Sequence, residues 1–321
     1  MPETRFAPET QHRFNPEKSS FWATYLGLVL HFILFAVLVV VAVLALPFFK
    51  DPRNWLNFFI QNIPYMIMAL ALVLPTRLKG INLSAGAVFA MSGWVFASLA
   101  GENTVMPGML LALAEGLALG AVNGAIQMSI RVPTAVLTMT VSAVVSISLS
   151  MLAIWNVRGL WQGGLLLVQV ANADVSAIGV ISLIASLVLV LLLLYFTKIG
   201  EEGQVKKRHY LMTYACSGLV FSLAACYTVM RLQMCSPNIG LSAETLFLLF
   251  AAGTMLISRS ARIRIIPVVC ALMAALSWNL MPSVLSILDL DYSVQRLLLL
   301  IFTAAIVIPA FLVQRGCRSR I

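Results

Sequence analysis

Charged residues are scarce in this chain. Asp, Glu, Lys and Arg make up 10% of it and hydrophobic residues 61%, whereas a soluble domain has about 25% charged residues. This composition excludes an ordinary soluble domain and indicates an integral membrane protein. The long apolar runs are continuous rather than alternating, which favours membrane-spanning helices over an outer-membrane barrel.

The chain also lacks the motifs of several kinds of chemistry. Its 5 cysteines form no C-x-x-C pair, so we expect reduced packing residues, with no disulfide framework and no metal site. There is no Walker loop and no H-E-x-x-H motif, so the chain is not expected to hydrolyse ATP, to be an enzyme or to hold a cofactor. The net charge of +9 is attributed to loops that face anionic lipid, not to nucleic acid.

Ten apolar runs predict an all-α polytopic bundle of about ten transmembrane helices, with an internal repeat and broken helices. The predicted spans are 21–48, 55–75, 81–100, 106–128, 133–155, 177–197, 210–230, 243–257, 265–281 and 296–313. Most Lys and Arg residues fall in loops on one side, which places both termini in the cytoplasm. Residues 1–20 are then a cytoplasmic tail, 21–313 a single transmembrane domain, and 314–321 a cytoplasmic basic tail.

The most unusual stretch runs from Gly80 to Gly93. It combines glycines such as Gly80 and Gly86 with the polar residues Asn82 and Ser84, although it lies in an apolar region. Interrupted polar helices in transporters mark the route of the solute, because bent backbone at membrane depth must be buried in protein or line a cavity. The alternative is an ordinary helix start in which Asn82 or Ser84 is the N-cap.

The fourth span carries glycines at every fourth position, Gly116, Gly120 and Gly124. This spacing predicts a flat face on which another helix packs closely, and Asn123 is expected to hydrogen-bond across that contact. Glu115 is an acidic residue within a predicted span, so we expect it to face the interior of the bundle. It is a proton site, a protonated hydrogen-bond donor or one end of a polar pair.

These motifs, in this order, resemble the membrane subunit of ribose-type ABC importers, in the family that includes nucleoside and branched-chain amino acid permeases. The family's G-I-D-L-S-x-G stretch resembles Gly80-Ile-Asn-Leu-Ser-Ala-Gly86, with Asn in place of Asp. Its G-x-x-N-G resembles Gly120-Ala-Val-Asn-Gly124, and its R-x-P resembles Arg131-Val-Pro133. In the second half, Pro237, Gly240 and Glu244 have the spacing of the family's P-x-x-G-x-x-x-E.

The resemblance implies a permease of the bacterial inner membrane that works as a homo- or heterodimer. Its partners would be two ATP-binding cassette ATPase subunits inside and a solute-binding protein outside. It implies a small polar solute, first a monosaccharide, and next a nucleoside or a riboflavin-like vitamin. Asn82, Ser84 and Asn123 would line the path or support the helix break. The glycines expected to allow close backbone approach are Gly80, Gly86, Gly120 and Gly124.

Two departures from the family concern coupling to an ATPase. The loop Lys198–His209 is shorter than the family's segment before the seventh span, and Ser258–Arg264 replaces a glycine-rich turn. Lys206, Lys207 and Arg208 are a candidate ATPase contact, or they hold to anionic lipid. Two other functions stay open, a proton-coupled secondary carrier that uses Glu115 and a membrane scaffold that moves nothing.

Overall fold

The computed structural model describes residues 21–78, 82, 84–100, 105–129, 134–156, 166–167, 175–197, 207–235, 243–258 and 265–318. These residues form ten α-helices and one pair of short strands. The helices are α1 (Phe21–Ala45), α2 (Pro52–Arg77), α3 (Ala85–Leu99), α4 (Val105–Ser129), α5 (Thr134–Asn156), α6 (Val175–Thr197), α7 (Lys207–Leu232), α8 (Ala243–Ser258), α9 (Ile266–Leu285) and α10 (Tyr292–Arg318). The strands are β1 (Leu166–Leu167) and β2 (Met234–Cys235).

The all-helical, multi-pass architecture predicted from the apolar runs is confirmed. Each predicted span coincides with one helix, and five helices in the described part of the chain are both long and apolar enough to cross a membrane. Several helix ends differ from the prediction, among them the start of α3 at Ala85 instead of 81 and the end of α9 at Leu285 instead of 281. The helix α2 continues through Pro75 to Arg77, and α10 continues past residue 313 to Arg318, because helical backbone also persists beyond the apolar core.

The helix packing relates the two halves of the chain. In the centre, α2 and α7 pack against each other. The helices α3 and α4 both pack against α7, and the corresponding helices α8 and α9 both pack against α2. On the periphery, α5 packs on α3 just as α10 packs on α8. Both α3 and α8 begin at the alanine of a Leu-Ser-Ala run, Ala85 and Ala243. This correspondence agrees with the predicted internal repeat, in which each half covers the central helix of the other.

A short antiparallel pairing joins two of the connections between helices. Leu166 lies opposite Cys235 and Leu167 opposite Met234, so the segment after α5 is tied to the segment after α7. Among the described residues, Cys235 forms no disulfide bond, and neither do Cys216, Cys226 and Cys270. The pairing therefore holds the two connections together through backbone hydrogen bonds.

The helix α2 contains two internal prolines whose missing N–H groups are compensated by α7. Proline at position i leaves the carbonyl of residue i−4 without its helical donor, so Pro64 frees the carbonyl of Ile60 and Pro75 that of Ala71. Tyr227 donates its hydroxyl to Ile60 at 3.4 Å. Ser217 donates to Ala71 at 2.8 Å. In a bilayer no water is available for these carbonyls, so the α7 hydroxyls make the prolines tolerable.

We expect Ser217→Ala to lower the free energy of unfolding by about 1–3 kcal/mol, because it leaves a buried carbonyl without a donor. Adding Pro75→Ala should restore most of that loss, since the new N–H can bond to Ala71. Thermal unfolding of the purified single and double variants measures both effects.

The matched control is Ser186→Ala. Ser186 is also buried, but its hydroxyl bonds to Ser182 of its own helix, whose carbonyl keeps the backbone N–H of residue 186. This variant should unfold close to the wild-type temperature. Equal losses for Ser217→Ala and Ser186→Ala would contradict the compensation.

Candidate functional site

The break between α2 and α3 is held by the side chain of Asn82. Its Oδ1 accepts the backbone N–H of Ser84 at 3.2 Å and the hydroxyl of Ser84 at 2.7 Å. Ser84 occupies the N-cap position of α3, but its side chain makes no capping hydrogen bond. Of the two residues that the alternative of an ordinary helix start offered as N-cap, Ser84 thus holds the position without a side-chain cap. Asn82 instead bonds to the backbone two residues ahead, as asparagine does in turns.

Asn123 of α4 completes this cluster. Its Nδ2 donates to the hydroxyl of Ser84, which thereby uses its own proton toward Asn82 and accepts one from Asn123. Asn123 was expected to bond across the close contact that the α4 glycines make. Its partner instead lies at the start of α3, a different helix that also packs against α4. Two motifs that lie far apart in sequence thus form one unit, which we call the Asn82–Ser84–Asn123 cluster.

This cluster is closed to solvent. Asn82 is 3% exposed, and Ser84 and Asn123 are fully buried. The Oδ1 of Asn123 is buried and has no hydrogen-bond partner among the described residues. Gly86 lies buried in the first turn of α3, while Gly80 lies outside the described residues. The cluster is therefore a buried polar group at the start of α3 in which nearly every hydrogen-bonding atom has a partner.

The predicted glycine face of α4 lies against α7. A Cβ added to Gly120 would stand 2.2 Å from the carbonyl oxygen of Tyr214, and one added to Gly124 would stand 2.9 Å from the Cα of Leu211. The contact is mutual, since a Cβ on Gly218 of α7 would stand 2.1 Å from the carbonyl oxygen of Gly116. The backbones of α4 and α7 are therefore in direct contact along this interface. Residues larger than glycine would force the two helices apart.

The side chain of Glu115 lies beside serine hydroxyl groups. The sequence had shown no obvious basic partner for it within a span. The Oγ of Ser92 on α3 lies 2.5 Å from Oε2 of Glu115 and 2.8 Å from Oγ of Ser222 on α7. Ser222 in turn donates to the carbonyl of Gly218 at 2.9 Å. We call this set the Glu115 chain, and it joins three helices. Sequence reasoning missed Ser222, although Gly218 and Ser222 repeat the four-residue spacing of small residues seen in α4.

The basic residues before α7 are described only in part. Lys206 lies outside the described residues, and α7 begins at Lys207. Arg208 is exposed, and together with His209, Phe196 and Met212 it lines a shallow surface hollow at the adjoining ends of α6 and α7. A surface with a cation beside aromatic and apolar groups suits either a protein partner or a lipid headgroup.

Comparison with known proteins finds similarity to sugar permeases. The chain is 37% identical to the ribose import permease protein RbsC of Escherichia coli over 92 residues, which are 28% of this chain and 29% of that protein. It is 24% identical to the D-allose transport system permease protein AlsC of Escherichia coli over 274 residues, 75% of this chain and 78% of that protein. No protein family model matches the chain, and no solved structure does.

The match to the ribose protein thus spans less than a third of that protein, whereas the match to the allose protein spans most of both chains at low identity. The two together support the permease family without selecting one of its subfamilies.

Proposed function

We propose that this chain is the membrane-spanning permease subunit of an ATP-driven importer of the bacterial inner membrane, and that it moves a monosaccharide inward. The observation that carries the proposal is the similarity to the D-allose permease protein over 75% of the chain. The shorter but closer match to the ribose permease protein points to the same class of solute.

The geometry of the helix break supports this proposal. The stretches that resemble the permease family, around residues 80–86 and 120–124, meet through the hydrogen bonds of the Asn82–Ser84–Asn123 cluster. We propose that this cluster, with Gly80 and Gly86, supports the broken start of α3 beside the translocation path.

The proposed partners supply what this chain lacks. ATP hydrolysis would take place on separate cassette subunits, since the sequence has no Walker loop. A solute-binding protein outside the membrane would deliver the sugar, and a second permease subunit would complete the path. Lys206, Lys207 and Arg208 are proposed as a contact for the ATPase at the cytoplasmic start of α7.

The proposal predicts the effect of deleting this chain from its source organism. Uptake of radiolabelled D-ribose or D-allose should fall, and expression of the intact chain from a plasmid should restore it. Uptake should stop when cellular ATP is depleted and should continue when an uncoupler collapses the proton gradient while ATP is maintained.

The energy source separates this proposal from the alternatives. Uptake that an uncoupler abolishes, with no dependence on ATP, would assign the chain to proton-coupled carriers. If neither sugar's uptake changes on deletion, the monosaccharide assignment fails. Co-purification of a cassette ATPase with the affinity-tagged chain would then still test the importer class.

A further inference from the structure

The Glu115 chain stands apart from the helix break and has no part in the proposed function. It consists of three contacts in series, from Glu115 to Ser92, from Ser92 to Ser222, and from Ser222 to the carbonyl of Gly218. All three distances are within hydrogen-bonding range. Each contact is a hydrogen bond only if one proton lies between its two oxygens.

Counting protons favours one state of the carboxyl group. The two serine hydroxyls supply one proton each, and a carbonyl oxygen supplies none. If Glu115 were ionised it would supply none either, so three contacts would share two protons and one pair of oxygens would face each other without a hydrogen. A protonated carboxyl supplies the missing proton.

We infer that Glu115 is held as a neutral carboxylic acid that donates its proton to Ser92. Ser92 then donates to Ser222, and Ser222 donates to the carbonyl of Gly218. All donors point in one direction, from α4 through α3 to α7. The intramembrane acid is thus a proton-holding site that joins three helices.

The surroundings of Glu115 agree with a neutral state. The helices α3 and α5, which both pack against α4, carry no titratable side chain. On α7, the basic residues stand in the first and last turns, and Cys226 is a buried thiol, which provides no positive charge. The second carboxyl oxygen, Oε1, is buried without a hydrogen-bond partner among the described residues. A charged carboxylate placed so would be far more costly than a neutral acid.

The glycine face of α4 makes room for this arrangement. A Cβ on Gly116 would stand 1.5 Å from the hydroxyl oxygen of Ser222, so a larger residue would displace that hydroxyl. Gly116 therefore serves the Glu115 chain as well as the close approach of α4 and α7. The packing and the hydrogen bonds depend on the same few atoms.

Infrared difference spectroscopy of the purified protein in lipid tests the inference, with no need for transport. At neutral pH, the wild-type spectrum minus that of Glu115→Gln should show the carbonyl stretch of a protonated carboxylic acid. Ser92→Ala should shift the frequency of that band, because the acid loses its acceptor. The control Asp291→Asn, at an exposed aspartate, should remove carboxylate bands alone.

Loss of carboxylate bands in Glu115→Gln, instead of the protonated carbonyl band, would overturn the inference. A second measurement covers a variant that fails to fold. In the wild type, the protonated band should be present at neutral pH and weaken as the pH is raised, and its absence at neutral pH would also overturn the inference. Glu115→Gln should fold better than Glu115→Lys, since the amide N–H can still donate to Ser92.

Discussion

Gly120→Ala is expected to lower the free energy of unfolding by about 1–3 kcal/mol or more, the range of an overpacked core. The new methyl carbon would stand 2.2 Å from the carbonyl oxygen of Tyr214 and 3.0 Å from the Cα of Ala215. Both atoms belong to the backbone of α7, so no side-chain rotation can relieve the clash. The two helices must separate, and the contacts along their whole interface weaken with them.

The measurement is the temperature at which the detergent-purified protein unfolds and loses its monodisperse peak in size-exclusion chromatography. Gly108→Ala is the matched control, because it makes the same change on the same helix. Its methyl carbon would stand 3.4 Å or more from its nearest neighbours, Ala100 and Leu99. It should unfold near the wild-type temperature, and equal behaviour of the two variants would refute the close backbone contact.

If the proposed function holds, Asn82→Leu is expected to reduce sugar uptake much more than it reduces the amount of protein in the membrane. Leucine removes the acceptor for two buried donors of Ser84, its N–H and its hydroxyl, and each unpaired donor costs about 1–3 kcal/mol. The lost bonds are those that hold Ser84 at the start of α3 against Asn82, whereas the rest of α3 keeps its backbone hydrogen bonds. A shift of about 1.4 kcal/mol away from the competent arrangement is a factor of ten.

Asn82→Asp provides the comparison. A carboxylate oxygen accepts the same two hydrogen bonds, and its charge is favourable at the N-terminus of α3. Uptake of the sugar identified by the deletion experiment and membrane abundance by immunoblot should both stay near wild type in this variant. Wild-type uptake by Asn82→Leu would mean that the helix break does not depend on this asparagine.

The helices of this protein were largely predictable because the membrane imposes their length. A span must be apolar over about 20 residues, so apolar runs in the sequence mark the helices almost by themselves. The ends were harder, as α2 shows by running through Pro75 to Arg77. Proline normally indicates a helix end. Here the hydroxyl of Ser217, which is distant in sequence, replaces the hydrogen bond that Pro75 cannot donate, so the helix continues.

The contacts within the site were less predictable, because spacing along a helix tells which residues share a face but not which helix lies opposite. The glycines of α4 predicted a close contact, yet nothing in their spacing identified α7. Asn123 was expected to bond across that contact and bonds instead to Ser84. The partners of Glu115 are serines on two other helices, and a serine in an apolar span is too common to be singled out.

The pairing of Pro75 with Ser217 also bears on how such a sequence could have arisen. A proline that appeared first would have left the carbonyl of Ala71 bare in an apolar environment, at the cost of a lost buried hydrogen bond. A serine that appeared first would have been nearly harmless, because it can bond to a carbonyl of its own helix. The permissive order is therefore serine before proline. Once both were present, the serine could no longer revert alone, so a mild substitution became a fixed requirement of the fold.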